Sequence, residues 1–160
     1  HIVYLASSSD IKVGVTRKSQ VPTRWIDQGA SQAMPLVEVP NRYLAGITEV
    51  ALKDHMGDKI NWKKMLLNNV APADLAAKRT EMKQWLPDEV KPYFETTKEQ
   101  LYTLDYPVLE YPKKITSLNL TKTPTYSGKL VGVKGQYFIF EDGTVFNVRS
   151  NEGFVVQINV

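Results

Sequence analysis

The hydrophobic period changes twice along this chain, and that switch narrows the folds open to it more than any single motif does. Near the start stand two β-branched runs, "HIVYLA" and "IKVGVT", separated by "SSSD". Short runs of this composition with a polar interval between them predict two strands joined as a hairpin. From about residue 58 to 99 the pattern is helical throughout, in "KINWKKMLLNN", "PADLAAKRTEMKQWL" opened by Pro72, and "DEVKPYFETTKEQ". Beyond about residue 100 strand patterning returns in "YPVLEYP", "GKLVGVKGQYFIFEDGTVFNVRS" and "FVVQINV", cut by Gly and Asp-Gly turns.

Local signals refine this outline. Pro22 reads as a helix start, and "PTRWIDQGA" predicts about two helical turns ended by Gly29, with Arg24 and Gln28 four apart on one face. "MPLVEV" predicts a third short strand. Asn41 is a candidate cap for a helix over "NRYLAGITEVALKDHMG", with Leu44, Ile47, Val50, Ala51 and Met56 as its apolar side. Pro87 separates the last two helical stretches. "EDGT" lies between "QYFIF" and "VFNVR" and predicts a hairpin flanked by Phe140 and Val145. The expected architecture is α+β. Residues 1–70 form a small antiparallel three-stranded sheet flanked by helices, 71–99 a helical segment packed on it, and 100–160 a small all-β barrel or sandwich.

Charge and composition bound the partners. Lys plus Arg number 20 against 17 Asp plus Glu, a mild excess that does not by itself draw nucleic acid strongly. The basic bias sits at the front, where residues 1–69 hold nine Lys or Arg and six Asp or Glu. With no cysteine, disulfides and thiolate metal sites are excluded within these residues. No apolar run reaches the ~18 residues of a membrane helix, so no membrane partner is expected. The chain shows no leader pattern, which fits a cytoplasmic protein, and its first residue, His1, suggests a processed or cropped start.

The order strand, strand, helix, strand, helix over the first 57 residues carries a resemblance. Ile2, Val3 and Tyr4 resemble the first signature of the GIY-YIG nuclease superfamily, and Lys12, Val13 and Gly14, followed by Val15 and Thr16, resemble the second. Arg24 stands where that family has an arginine on its first helix, and Glu49 where it has a metal-binding glutamate on the next long helix. The likeness covers about the first 70 residues. More narrowly, "IKVGVTR", "TRWIDQGA" and "GQYFIFEDGT" together resemble a bacterial family of unestablished function, in which a GIY-YIG-like module precedes a β-rich tail.

The resemblance implies metal-dependent hydrolysis of a phosphodiester in nucleic acid. Glu49 would hold a single Mg²⁺ or Mn²⁺, a hard cation that keeps several waters and so needs few protein ligands. Arg24 would neutralise a phosphate oxygen through its fixed fork of donors. Tyr4 would orient or deprotonate the attacking water. Lys12 replaces the family's second tyrosine, and its ammonium would favour the phenolate of Tyr4 or touch phosphate. The first signature lacks its initial glycine, and the interval from Gly14 to Arg24 is longer than in the family and contains Pro22. For the family's late asparagine, Asn61 is preferred to Asn68 because it opens a helix close behind the metal-site helix. Arg17 and Lys18, with Arg24, would contact nucleic acid near the cleft.

Plainer readings compete with each of these. A tyrosine in a strand is ordinarily a packing residue, and Arg24 with Glu49 would make an ion pair between helices. The whole module would then be a catalytically inactive nucleic-acid-binding or interaction protein. His55, six residues after Glu49, falls off its helix face. "KRTEMK" reads as a solvated helix face, Trp62 and Trp85 as helix packing, and the aromatics of the tail as core.

Overall fold

The computed structural model describes residues 1–56 and 61–160. Residues 59 and 60, which open the first predicted helical stretch after residue 57, lie outside the described residues. The chain divides into two compact units, His1–Asp105 and Tyr106–Val160. The architecture is mixed α+β, as the switch in hydrophobic period predicts, with one four-stranded sheet in each unit.

In the first unit β1 (Ile2–Ser7) and β2 (Ile11–Thr16) form the expected antiparallel hairpin, with Tyr4 opposite Gly14 and Ala6 opposite Lys12. The helix α1 (Thr23–Asp27) follows, and Gly29 ends it at a φ of +65°, a backbone angle that costs a side-chain-bearing residue dearly. β3 (Gln32–Glu38) then pairs antiparallel with β1, and α2 (Arg42–Lys53) begins where the Asn41 side chain accepts the Leu44 N–H at 2.9 Å. Three helices come next: α3 (Trp62–Leu66), α4 (Leu75–Met82) and α5 (Lys91–Thr96). The expected three-stranded sheet gains a fourth member, because β4 (Tyr102–Thr103) pairs with Gln32 and Ala33 and gives the order β2-β1-β3-β4. Two residues leave too little period-two pattern to read as a strand in the sequence.

β1 is central and buried along its whole length, so its two faces fill two cores. Val3 joins Leu36, Leu52, Met82, Val90 and Phe94 under α2, α4 and α5. Ile2, Tyr4 and Ala6 face the other way, against Trp25 of α1 and Ala33. Trp25 is fully buried, its ring between Tyr4 (5.7 Å between centroids) and Tyr102 (5.0 Å).

Three packing expectations change. Val50 is 71% exposed, because the buried face of α2 is built from Ala45, Thr48 and Leu52, to which position 50 stands nearly opposite. Arg79, read from the sequence as solvated, is buried with Leu75 and Met82 on the inner stripe of α4. Its guanidinium donates to the carbonyls of Pro35, Leu36, Phe94 and Thr97 and lies 3.9 Å from the centroid of the Phe94 ring. Trp85 is partly exposed and stacks on His55 at 3.8 Å.

The second unit holds β5 (Thr116–Ser117), β6 (Leu130–Lys134), β7 (Tyr137–Phe140) and β8 (Thr144–Asn147) in the order β5-β8-β7-β6. The predicted β7–β8 hairpin is present, turning at "EDG" with Gly143 at φ +82°. Among the described residues this is an open sheet, not the expected barrel or sandwich. Four strands of five residues or fewer are too short and too few to close on themselves. "YPVLEYP" adds only a bridge from Val108 to Gly132, since the prolines at 107 and 112 lack the N–H a ladder needs. "FVVQINV" joins no strand. Ile139 and Val145 form the buried centre, around which Phe138 and Phe146 lie 6.4 Å apart.

Candidate active site

The site is built around β2, an edge of the first sheet, with α1 packed on the Tyr4 face and α2 on the other. Gly14 makes it possible. A Cβ at that position would stand 2.6 Å from both Cζ and the hydroxyl oxygen of Tyr4, so the absent side chain is the space that the tyrosine ring fills. The tip of the ring therefore lies over β2, and its hydroxyl stands above that edge strand.

Tyr4 is 1% exposed, and its hydroxyl donates to Oε1 of Gln28 at 3.0 Å. The Arg24 guanidinium, one turn earlier on α1, lies near enough to the Tyr4 hydroxyl to pull its pKa down. Residues four apart share a helix face, so α1 presents Arg24 and Gln28 together to one phenol. Burial pushes the Tyr4 phenol above its ordinary value of 10.0, with Arg24 and the Gln28 bond pulling the other way and the Glu49 carboxylate adding to the rise. Tyr4 is thus a neutral phenol at physiological pH, and Glu49 lies within electrostatic reach of it.

The structure brings Arg24 to Tyr4 and adds Gln28, while Glu49 acts on the phenol only through its charge, from the helix on the other face of the sheet. Only the four-residue spacing from Arg24 pointed to Gln28 in the sequence. Lys12, partly buried, lies two residues from Gly14 and so on the same face of β2. Arg17 is exposed just beyond β2, and Lys18 pairs with Glu38 at 2.6 Å. Asn61 stands apart from this group in role. Its side chain caps α3 by accepting the Lys64 N–H at 3.1 Å, while its own N–H donates to Ser9 Oγ at 3.1 Å. Helix capping accounts for the first contact, and the second ties the helix start to the β1–β2 turn.

Among the described residues no group of three or more His, Cys, Asp or Glu is arranged to hold a metal ion. Glu49 is a partly buried carboxylate that, among those residues, makes no ion pair, so the expected pairing with Arg24 does not form. A lone, unneutralised oxygen donor of this kind suits Mg²⁺ or Mn²⁺, which retain water in most of their coordination positions, and does not suit zinc. Next to α2 an open depression of about 370 Å³ is lined by His1, Val15, Thr16, Arg17 and Arg42.

No helix among the described residues is long and apolar enough to cross a membrane. No curated protein and no solved structure matches the chain. A family model described as a protein of unknown function (DUF2797) matches residues 1–156, across both units, and the chain belongs to that family.

Proposed function

We propose that the first unit is a GIY-YIG-like module that hydrolyses phosphodiester bonds in nucleic acid with the help of one divalent cation. The observation that supports this reading is the Tyr4 hydroxyl held by Gln28 beside Arg24, with the Glu49 carboxylate within electrostatic reach of that phenol and outside any ion pair among the described residues. Glu49 would hold the Mg²⁺ or Mn²⁺, which when bound supplies a water of lowered pKa and neutralises charge on the phosphoryl oxygens. Arg24 supplies a fixed cation for one of those oxygens. Tyr4, as a neutral phenol, orients rather than deprotonates the nucleophile. Lys12, on the same face, supports phosphate binding in place of a second phenol.

One observation favours the second reading, a nucleic-acid-binding module without cleavage. Tyr4 is almost wholly buried, and its hydroxyl is already engaged by Gln28. The two readings separate in one experiment. Pure protein is incubated with labelled single- and double-stranded DNA and RNA, with Mg²⁺ or Mn²⁺, beside Glu49→Ala. Cleavage that disappears in Glu49→Ala supports hydrolysis. Oligonucleotide binding without cleavage supports the binding module, and neither outcome in any arm sinks both.

A further inference from the structure

α2 carries a feature that extends beyond the hydrolytic group. Arg42, Gly46, Glu49 and Lys53 follow one another at spacings of four, three and four residues, which sets them in a single stripe down the helix. The stripe runs along the helix shoulder. On one side lies the buried face of Ala45, Thr48 and Leu52, and on the other the exposed Tyr43 and Val50. Gly46 leaves its middle bare, since a Cβ there would meet nothing within 4 Å. Its upper end opens into the depression where Arg17 joins Arg42.

The charges on this stripe follow a pattern. Cations stand at both ends, with the single carboxylate of Glu49 between them. At 1.5 Å per residue, Arg42 and Glu49 are about 10 Å apart along the axis, and Arg42 and Lys53 about 16 Å. One strand of a duplex carries a phosphate every 3.4 Å of its axis, so that length spans about five. Among the described residues none of Arg17, Arg42 and Lys53 takes part in an ion pair, whereas Lys18 is held by Glu38. Three cations outside any such ion pair, along an open strip of helix surface, are complementary to a repeating polyanion.

We infer that this shoulder of α2, with the depression above it, is a track for the sugar-phosphate backbone of a nucleic acid, entering at Arg17 and Arg42, passing Glu49 and leaving at Lys53. The inference rests on the reading of the first unit as a nucleic-acid module, and it assigns the path by which the strand reaches Glu49. Arg42 and Lys53 are backbone contacts, so they add affinity without sequence preference. Gly46 allows the strand to lie against the helix.

Fluorescence anisotropy with labelled single-stranded DNA, duplex DNA and single-stranded RNA tests it, across a salt series, on the full chain. Arg42→Gln, Arg17→Gln and Lys53→Gln should each weaken binding about three- to tenfold at low salt and lower the slope of log affinity against log salt by about one. Lys91→Gln, an exposed change on α5, should leave both unchanged. Gly46→Leu should weaken binding without altering the salt slope, because its side chain stands in the open strip and removes no charge. If the three charge variants and Gly46→Leu bind like the wild type while Arg24→Gln loses affinity, the track is wrong and the nucleic-acid reading stands. If the wild-type protein binds none of the three probes, the nucleic-acid reading fails and the track fails with it.

Discussion

The ring of Tyr4 occupies the space where Gly14, directly opposite on the neighbouring strand, would carry a side chain. Gly14→Ala should therefore force a buried ring to move. The ring is pinned by Trp25 on one side and by Gln28 at its tip, so little room exists for relief. A loss of about 1–3 kcal/mol is expected from overpacking of this kind, read as a fall in the denaturation midpoint with an unchanged slope. The same change should abolish any cleavage activity, because the hydroxyl and Arg24 shift together.

Tyr4→Phe separates packing from polarity. The ring stays, but Gln28 Oε1 loses its donor. Stability should fall by about 1 kcal/mol, less than for Gly14→Ala. Because the folded phenol titrates above 10.0, the folded state holds its proton more firmly than the unfolded chain does. The wild type should accordingly lose stability as pH rises past about 10, and Tyr4→Phe should flatten that decline. Equal alkaline slopes for the two proteins would show that Tyr4 is not the group responsible.

Arg79 is the polar tie of the first core. Removing it with Arg79→Met leaves the carbonyls of Pro35, Leu36, Phe94 and Thr97 short of a donor where β3, α4 and α5 meet. The expected cost is about 2–4 kcal/mol, measured by chemical denaturation. Lys78→Met, next to it and paired with the exposed Glu81, should change stability by less than about 1 kcal/mol.

Lys134 gives the second unit a pH dependence of opposite sign. It is 1% exposed, with its ammonium 5.0 Å from the centroid of the Tyr111 ring and 5.4 Å from that of Tyr106, and burial lowers its pKa from 10.5 to about 8. Below pH 8 both folded and unfolded forms are protonated, and the folded form bears the full desolvation penalty. Between about 8 and 10.5 the unfolded chain binds more protons, so stability should rise with pH by about 3 kcal/mol in all. Lys134→Met should remove that rise and stabilise the unit at pH 7. Denaturation followed at several pH values checks both statements.

How much of this could be read from the sequence depends on the range of the interactions. Strands β1, β2 and β3, the helix α2 with its Asn41 cap, the Gly29 stop and the "EDGT" hairpin are local events, decided by side chains within a few positions of one another. Local chemistry was enough to place them. The two-residue strand β4, the burial of Arg79 and the exposure of Val50 depend on which surface is laid against each segment, and that surface comes from residues far away in the chain. For the same reason Arg24 and Gln28 could be seen to share a helix face, while their meeting at the hydroxyl of Tyr4 required β1 and α1 to be packed together. The missing side chain of Gly14 is written in the sequence; that a tyrosine ten residues earlier fills the gap is a consequence of antiparallel register and of the core that fixes it.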